Sequence, residues 1–224
     1  MRTPSPGIAP EGLPVIGLAA FATLILALLG WALPALLLLV FSAFSLFFFR
    51  DPVRVPPIAP EGKAVAVSPA DGRIVSVGPA PDPFTGEQRT RVCVFMNVFN
   101  VHVNRAPVAA RVRAIRYNPG KFINASFDKA SEYNERCAVG LRDAAGRDWT
   151  VVQIAGLIAR RIVCRTEPGD ALDLGDRFGL IMFGSRVDVY LPDDYVSKLR
   201  IGDKVLAGMT VLAEADLAPV PAES

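Results

Sequence analysis

Residues 13–49 contain no Asp, Glu, Lys or Arg, and this stretch constrains the fold more than any other part of the sequence. A long apolar stretch without charge is typical of helices that enter a lipid bilayer, where a helix satisfies its own backbone hydrogen bonds. Gly30-Trp31 and Pro34 interrupt the stretch. They predict two apolar runs of about 17 to 19 residues, each near the lower limit for crossing a bilayer core. We therefore expect a membrane-associated helical hairpin over residues 1–50.

Positive charges flank the apolar stretch on both sides. Arg2 precedes it, and Arg50 and Arg54 follow it. By the positive-inside rule, both ends of the hairpin would lie in the cytoplasm, so we expect the cytoplasmic face of the cell membrane. Two alternatives stay open, namely helices that lie in the membrane interface and a hairpin buried in a soluble core. A signal peptide fits less well, because the second apolar run follows directly.

The chain changes character after the apolar stretch. Residues 51–63 hold four prolines, which predicts a stiff linker. Residues 64–224 then show short runs with a period of two, rich in Val and Ile and separated by Gly, Pro and Asp. They predict a mainly β domain, an antiparallel barrel-like sandwich. The candidate strands are residues 73–77, 90–96, 109–117, 137–141, 148–154, 161–165, 179–183 and 186–191.

A weak internal repeat supports this fold. Leu174-Gly175-Asp176-Arg177 recurs as Ile201-Gly202-Asp203-Lys204, each before an apolar run. Such turns before short strands are typical of lipoyl- and biotinyl-type barrel-sandwich domains, so we expect a hybrid of that type.

Composition excludes several classes of function. The formal net charge is only +2, which gives no field to attract nucleic acid. The three cysteines are odd in number and show no C-x-x-C spacing. This argues against both a disulfide framework and a metal site.

Three local features could carry chemistry. The single histidine, His102, alternates with Asn100 and Asn104, which predicts one polar face on an extended segment. Asp71 lies in an Asp-Gly turn before a candidate strand, where a purely structural role is sufficient. The pair Gly184-Ser185 lies between two candidate strands and could be a simple bulge. A glycine carbonyl is unshielded, however, so the serine hydroxyl could attack this peptide bond.

Taken in order, these motifs resemble the phosphatidylserine decarboxylase proenzymes, particularly the short bacterial and archaeal type. The resemblance covers residues 47–209, nearly all of the chain after the apolar stretch. Three ordered motifs at these separations are far more specific than any one of them. The matching segments are residues 48–52, 68–72, 100–107, 134–136, 153–156 and 183–185.

The resemblance implies a self-cleaving triad of Asp71, His102 and Ser185. Cleavage after Gly184 would leave residues 1–184 and 185–224 as a heterodimer of fragments, with Ser185 converted to a pyruvoyl group. This covalent cofactor would form a Schiff base with phosphatidylserine in the membrane and release CO2, which gives phosphatidylethanolamine. The resemblance is also compatible with a homo-oligomer.

Two other functions remain in competition at this point. One is a pyruvoyl-dependent decarboxylase of a soluble amino acid, which would have no need of a membrane hairpin. The other is a non-enzymatic, membrane-tethered carrier of the lipoyl type, which needs an exposed lysine at a hairpin tip. The chain also departs from the longer family members, because Phe99 stands where they carry a second histidine. The proton donor for decarboxylation is therefore unassigned, as are the residues that hold the lipid phosphate.

Overall fold

The structure is a computed structural model that describes residues 7–120, 134–156, 162–182 and 184–217. The chain divides into two units, residues 1–53 and 54–224. The predicted linker, residues 51–63, spans the division between them.

The first unit is a helical hairpin, as predicted. Helix α1 runs from Leu13 to Leu28 and helix α2 from Ala32 to Phe48. A short turn joins them, and the two helices pack against each other. The two ends of the hairpin also meet, because the Ala9 N–H donates to the Phe49 carbonyl at 2.7 Å. Next to this contact, strand β1 (Gly7–Ile8) pairs antiparallel with strand β2 (Arg50–Asp51).

Pro34 does not interrupt the second helix, so the predicted second break is wrong. Helix α2 begins at Ala32, which places Pro34 in its first turn. The first N–H groups of a helix have no partner within the helix, so a proline there removes no hydrogen bond. The turn at Gly30, with φ at +76°, is the only break between the two described helices.

The surface of the hairpin suits a lipid environment. The stretch 10–28, which includes a 3-10 turn before α1, has mean hydropathy 2.0 and is long and apolar enough to cross a membrane. Helix α2 is shorter. Large apolar side chains such as Leu18, Leu28 and Leu33 are more than two-thirds exposed. An apolar surface of this extent is typical of membrane contact.

The second unit consists of strands and connecting loops. Its described strands are β3 (Lys63–Val67), β4 (Gly72–Pro81), β5 (Gln88–Met96), β6 (Val103–Arg105), β7 (Ala110–Asn118), β8 (Arg136–Asp143), β9 (Asp148–Ile154), β10 (Ile162–Cys164), β11 (Ala171–Leu172), β12 (Arg177–Ile181), β13 (Ser185–Tyr190), β14 (Lys204–Val205) and β15 (Val211–Asp216).

These strands form three antiparallel sheets. The largest has eight strands in the order β11-β7-β8-β9-β13-β5-β4-β14 and curls into a half-barrel. A three-stranded sheet has the order β10-β12-β6, and β15 pairs with β3. Side chains from all three sheets meet in one apolar core. Within it, the rings of Trp149 and Tyr195 lie 4.5 Å apart, edge to face. The predicted mainly β, antiparallel fold is confirmed.

The eight candidate strands all correspond to observed strands. Residues 161 and 183, at the ends of two predicted ranges, lie outside the described residues. Five strands of this unit were not predicted, namely β3, β6, β11, β14 and β15. Two of these have only two residues, which is too short for a period of two to show.

Candidate active site

Ser185 is the first residue of a central strand of the large sheet. Strand β13 lies between β5 and β9, and Ser185 is paired with Met96 of β5. The serine is fully buried, and its Oγ has no hydrogen-bond partner among the described residues. A buried hydroxyl without a partner costs about 1–3 kcal/mol. Such a cost at the end of a well-paired strand is typical of a functional position rather than a structural one.

Gly184 has a backbone conformation that favours glycine. Its φ is +58°, in the left-handed region, where other L-residues are strained by about 1–2 kcal/mol. A Cβ at this position would meet no atom within 4 Å. The requirement for glycine is therefore conformational rather than steric. Phe183, the preceding residue of the motif, lies outside the described residues.

His102 lies beside the segment that leads to Gly184. It is fully buried and directly precedes β6. Its carbonyl accepts a hydrogen bond from the Ile181 N–H at 3.3 Å, and Val103 is paired with Leu180. The end of β12 is thus hydrogen-bonded to the backbone of His102. The contact is at Ile181, three residues before Gly184.

Two of the three sequence-predicted residues, Asp71 and Ser185, lie near the same end of β5. Phe95 in β5 is paired on one side with Arg73, the second residue of β4. On the other side it is paired with Arg186, the second residue of β13. Asp71, which directly precedes β4, and Ser185 therefore lie at the same end of two strands that flank β5 and are about 10 Å apart. His102 follows β5 after the loop 97–101.

Asp71 is buried and its carboxylate is held by two residues that the sequence did not indicate. Arg54 donates from Nη2 to Oδ2 at 2.8 Å and from Nη1 to Oδ1. The Ala207 N–H donates to Oδ1 at 2.8 Å. Within the described part of the chain, Asp71 thus bonds to Arg54 and Ala207 rather than to His102. The sequence alone predicts Arg54 only as a positive charge at the membrane surface.

A buried amide pair lies next to Ser185. Gln153 Nε2 donates to Asn104 Oδ1 at 2.8 Å, and the Asn104 Nδ2 lies 3.8 Å from the sulfur of Met96. Met96 is the strand partner of Ser185. Of the predicted polar face, the Asn104 side chain therefore lies against β5 and β9, the two strands that flank the strand of the serine.

Arg186, the residue after the serine, forms a buried ion pair. Its Nε and Nη2 donate to the two carboxylate oxygens of Asp188 at 2.7 and 2.9 Å. Both side chains are almost completely buried, 1% and 0% exposed. Because side chains alternate along a strand, this pair lies on the face of β13 opposite to Ser185. It fixes the strand without occupying the serine's side.

Phe99 lies at the surface. Its N–H donates to Asn97 Oδ1 at 2.9 Å in the turn after β5, and the ring is 66% exposed. The position where longer family members carry histidine is thus at the rim of the site. His102 is the only imidazole in the chain.

Four arginines of strands β6 and β7 donate hydrogen bonds to other parts of the domain. Arg105 is buried in β6 and donates to the Gly175 carbonyl at 3.0 Å. Arg111, Arg113 and Arg116 are in β7, which β8 and β9 separate from β13. They donate to Gly169, Asp148 and Pro83, respectively.

The three cysteines differ in their ionisation. Burial raises the pKa of Cys93 above its ordinary value. The thiols of Cys137 and Cys164 are hydrogen-bonded to each other, which raises the pKa of Cys137. The same hydrogen bond lowers the pKa of the half-buried Cys164 to about 7. Both cysteines lie near the amide pair of Asn104 and Gln153. Cys137 is the strand partner of Gln153, and Cys164 belongs to β10, in the same three-stranded sheet as Asn104 of β6.

We expect iodoacetamide to modify Cys164 first in the native protein. Thiolate is the reactive form, so the alkylation rate should rise with pH around a midpoint near 7. Peptide mass spectrometry after timed alkylation measures the alkylation rate of each cysteine. In a Cys137→Ala variant the midpoint should move up towards about 8.5, the ordinary thiol value. A midpoint of about 8.5 in the wild type would contradict the hydrogen bond between the thiols of Cys137 and Cys164.

Comparisons with known proteins agree with these positions. The family model described as phosphatidylserine decarboxylase matches residues 41–213, which include every site residue named above. The chain is 58% identical to the phosphatidylserine decarboxylase proenzyme of Nitratidesulfovibrio vulgaris, over 95% of this chain and 97% of that one. It is 59% identical to the proenzyme of Oleidesulfovibrio alaskensis, with 95% and 96% covered. For the proenzyme of Aromatoleum aromaticum the identity is 52%, with 94% and 97% covered.

Proposed function

Because the chain belongs to the phosphatidylserine decarboxylase family, we propose that it removes the serine carboxyl group of phosphatidylserine as CO2. The product is phosphatidylethanolamine, and the enzyme is a carboxy-lyase that is made as a proenzyme. A pyruvoyl group derived from its own Ser185 supplies the chemistry.

One observation carries this proposal. The Oγ of Ser185 is buried without a hydrogen-bond partner among the described residues, directly after a glycine in a left-handed conformation. A hydroxyl that no structural hydrogen bond retains can attack the adjacent carbonyl. The carbonyl of Gly184, which directly precedes Ser185, is that neighbour.

In the first step, His102 acts as general base and takes the proton of the Ser185 hydroxyl. The oxygen attacks the carbonyl carbon of Gly184, and the C–N bond breaks as His102 passes the proton to the leaving nitrogen of residue 185. The peptide thereby becomes an ester between the two residues. Asp71 has the role of orienting the imidazole of His102 for this proton transfer.

In the second step, the chain is cut by elimination. Loss of the α-proton of residue 185 breaks the bond between Cβ and the ester oxygen, and Gly184 leaves as a carboxylate. The remaining dehydroalanine takes up water and releases ammonia, so residue 185 becomes a pyruvoyl group. Atoms balance with one water consumed and one ammonia released.

The residues around position 185 fit a pyruvoyl group. The position is fully buried and begins a strand that is paired on both sides. When formed, the pyruvoyl group provides a carbonyl that binds the substrate amine and accepts the electrons released with CO2. His102, as the only imidazole of the chain, is the side chain available to return a proton.

The two fragments should remain together after cleavage. Strands β13, β14 and β15 belong to residues 185–224, and each pairs with a strand of residues 1–184. Strand β13 is bonded along both edges, and β15 pairs with β3. The smaller fragment therefore stays as an integral part of the folded domain.

The hairpin places this chemistry at a membrane. Its exposed apolar surface suits lipid, and the substrate is itself a lipid. With Arg54 paired to Asp71, Arg50 is the positive charge at the exit of α2, where its Nη1 donates to the Phe47 carbonyl at 2.6 Å. Together with Arg2, it supports a location on the cytoplasmic face of the cell membrane.

A carboxyl-labelled substrate assay tests the proposed function. We expect the purified full-length protein in detergent micelles to release labelled CO2 from phosphatidylserine, but not from free serine or aspartate. Release from a free amino acid alone would favour the soluble-substrate decarboxylase. An intact, lipoylated chain without decarboxylase activity would favour the carrier domain.

A further inference from the structure

Arg54 holds the carboxylate of Asp71 in a buried, two-point contact. Its guanidinium donates to both oxygens, and its Nη1 also donates to the Ala207 carbonyl at 2.8 Å. The side chains of Arg54 and Asp71 are only 8% and 6% exposed. Resting on the proposed function above, we propose that Arg54 is a positioning residue, which orients Asp71 for the self-cleavage of the chain at Gly184-Ser185.

The argument begins with the acceptor sites of the carboxylate. An ionised carboxylate offers about four lone-pair sites for hydrogen bonds. Arg54 occupies two of them and the Ala207 N–H occupies a third. One site is left for a fourth donor, and the other three bonds fix its direction. His102, the only imidazole of the chain, is the donor that the proposed mechanism assigns to this remaining site.

The two-point geometry requires arginine in particular. The planar guanidinium has parallel N–H groups that match both oxygens of a carboxylate, so it fixes the plane of the carboxylate as well as its position. A lysine ammonium is a point charge and cannot define that plane. A charge whose only task is to face a membrane surface would be exposed, whereas Arg54 is buried.

This contact makes the predicted linker part of the site. Arg54 lies within residues 51–63, and the linker also touches the domain at Pro56. A Cβ on Gly175 would approach the Pro56 Cγ to 2.8 Å, so the two residues pack closely. The linker is therefore seated on the domain at two positions close in sequence. The site is complete only when this segment, which follows the membrane hairpin, is in place.

Self-cleavage kinetics of Arg54 variants test the proposal. Each full-length chain is made by cell-free translation with detergent micelles, and the appearance of the fragment 1–184 is followed in time. We expect Arg54→Ala to slow cleavage at least tenfold, and Arg54→Lys to slow it less. Added guanidinium ion at low, non-denaturing concentration should restore part of the rate of Arg54→Ala, because it can occupy the vacated contact with Asp71.

Arg147 provides the matched control. It forms a similar ion pair away from the site, with Asp143 at 2.7 Å and Asp194 at 3.0 Å. We expect Arg147→Ala to cleave at the wild-type rate and not to respond to guanidinium. Should Arg54→Ala fail to fold, Arg54→Lys carries the test, since it keeps the charge and loses only the two-point geometry.

The outcomes separate this proposal from the proposed function. If the wild type is cut and Arg54→Ala is cut equally fast, the role of Arg54 is overturned but the proposed function is not. If the alanine variant does not fold, equally fast cleavage of a folded Arg54→Lys has the same meaning. Equal slowing by Arg147→Ala overturns it as well, because the effect would then be general. A wild-type chain that is never cut overturns the proposed function, and the role of Arg54 with it.

Discussion

A Ser185→Ala variant should remain a single uncut chain of 224 residues and should not decarboxylate phosphatidylserine. The variant lacks the hydroxyl that attacks the Gly184 carbonyl in the proposed mechanism, so neither the ester nor the pyruvoyl group can form. The fold should be retained, because Oγ has no hydrogen-bond partner among the described residues. Its removal should be neutral or slightly stabilising. Gel electrophoresis and the labelled-CO2 assay measure both effects.

Ser197 offers a control for this variant. Its Oγ donates to the Leu212 carbonyl at 2.7 Å, away from the end of β5. A Ser197→Ala variant should be cut and active like the wild type. Cleavage or decarboxylase activity in Ser185→Ala would show that another residue provides the reactive group.

A His102→Asn variant should lose self-cleavage almost completely. General-base assistance typically contributes about 10²–10⁴ in rate, and the chain has no second histidine to replace it. Asparagine keeps a polar side chain in this buried position but cannot take the serine proton at neutral pH. A time course of fragment formation after cell-free synthesis measures the loss.

The uncut Ser185→Ala chain is the reference for folding of the histidine variant. Both chains should unfold cooperatively, which shows that any loss of cleavage reflects chemistry rather than collapse of the domain. Rapid cleavage of a folded His102→Asn chain would rule out His102 as the base.

The sequence predicted most of the sheet because its period of two survives in the longer strands. Strand β9 has the same bounds in the prediction and in the structure, residues 148–154. The prediction failed where the signal was short or ambiguous. Strands β11 and β14 have two residues each. The sequence predicts a break at Pro34 because it does not show where the helix begins. In the structure Pro34 lies in the first turn of α2, where a proline is tolerated.

The site was predictable only in part. Order along the chain pointed to Asp71, His102 and Ser185, and the register around β5 brings Asp71 and Ser185 to one end of the sheet. The partners of Asp71 could not be predicted in the same way. Ala207 contributes a backbone N–H, which any residue but proline could supply. Arg54 looks in the sequence like any charge beside a membrane segment, and only the folded linker shows that it is buried against Asp71.

The mass of the purified, full-length protein tests the central claim most directly. We predict two species, one of residues 1–184 and one of residues 185–224. The smaller should have no free amino terminus and should be lighter by one ammonia than the same fragment beginning with serine. A single species with the mass of the uncut chain and an unmodified Ser185, in protein that decarboxylates phosphatidylserine, would contradict the account.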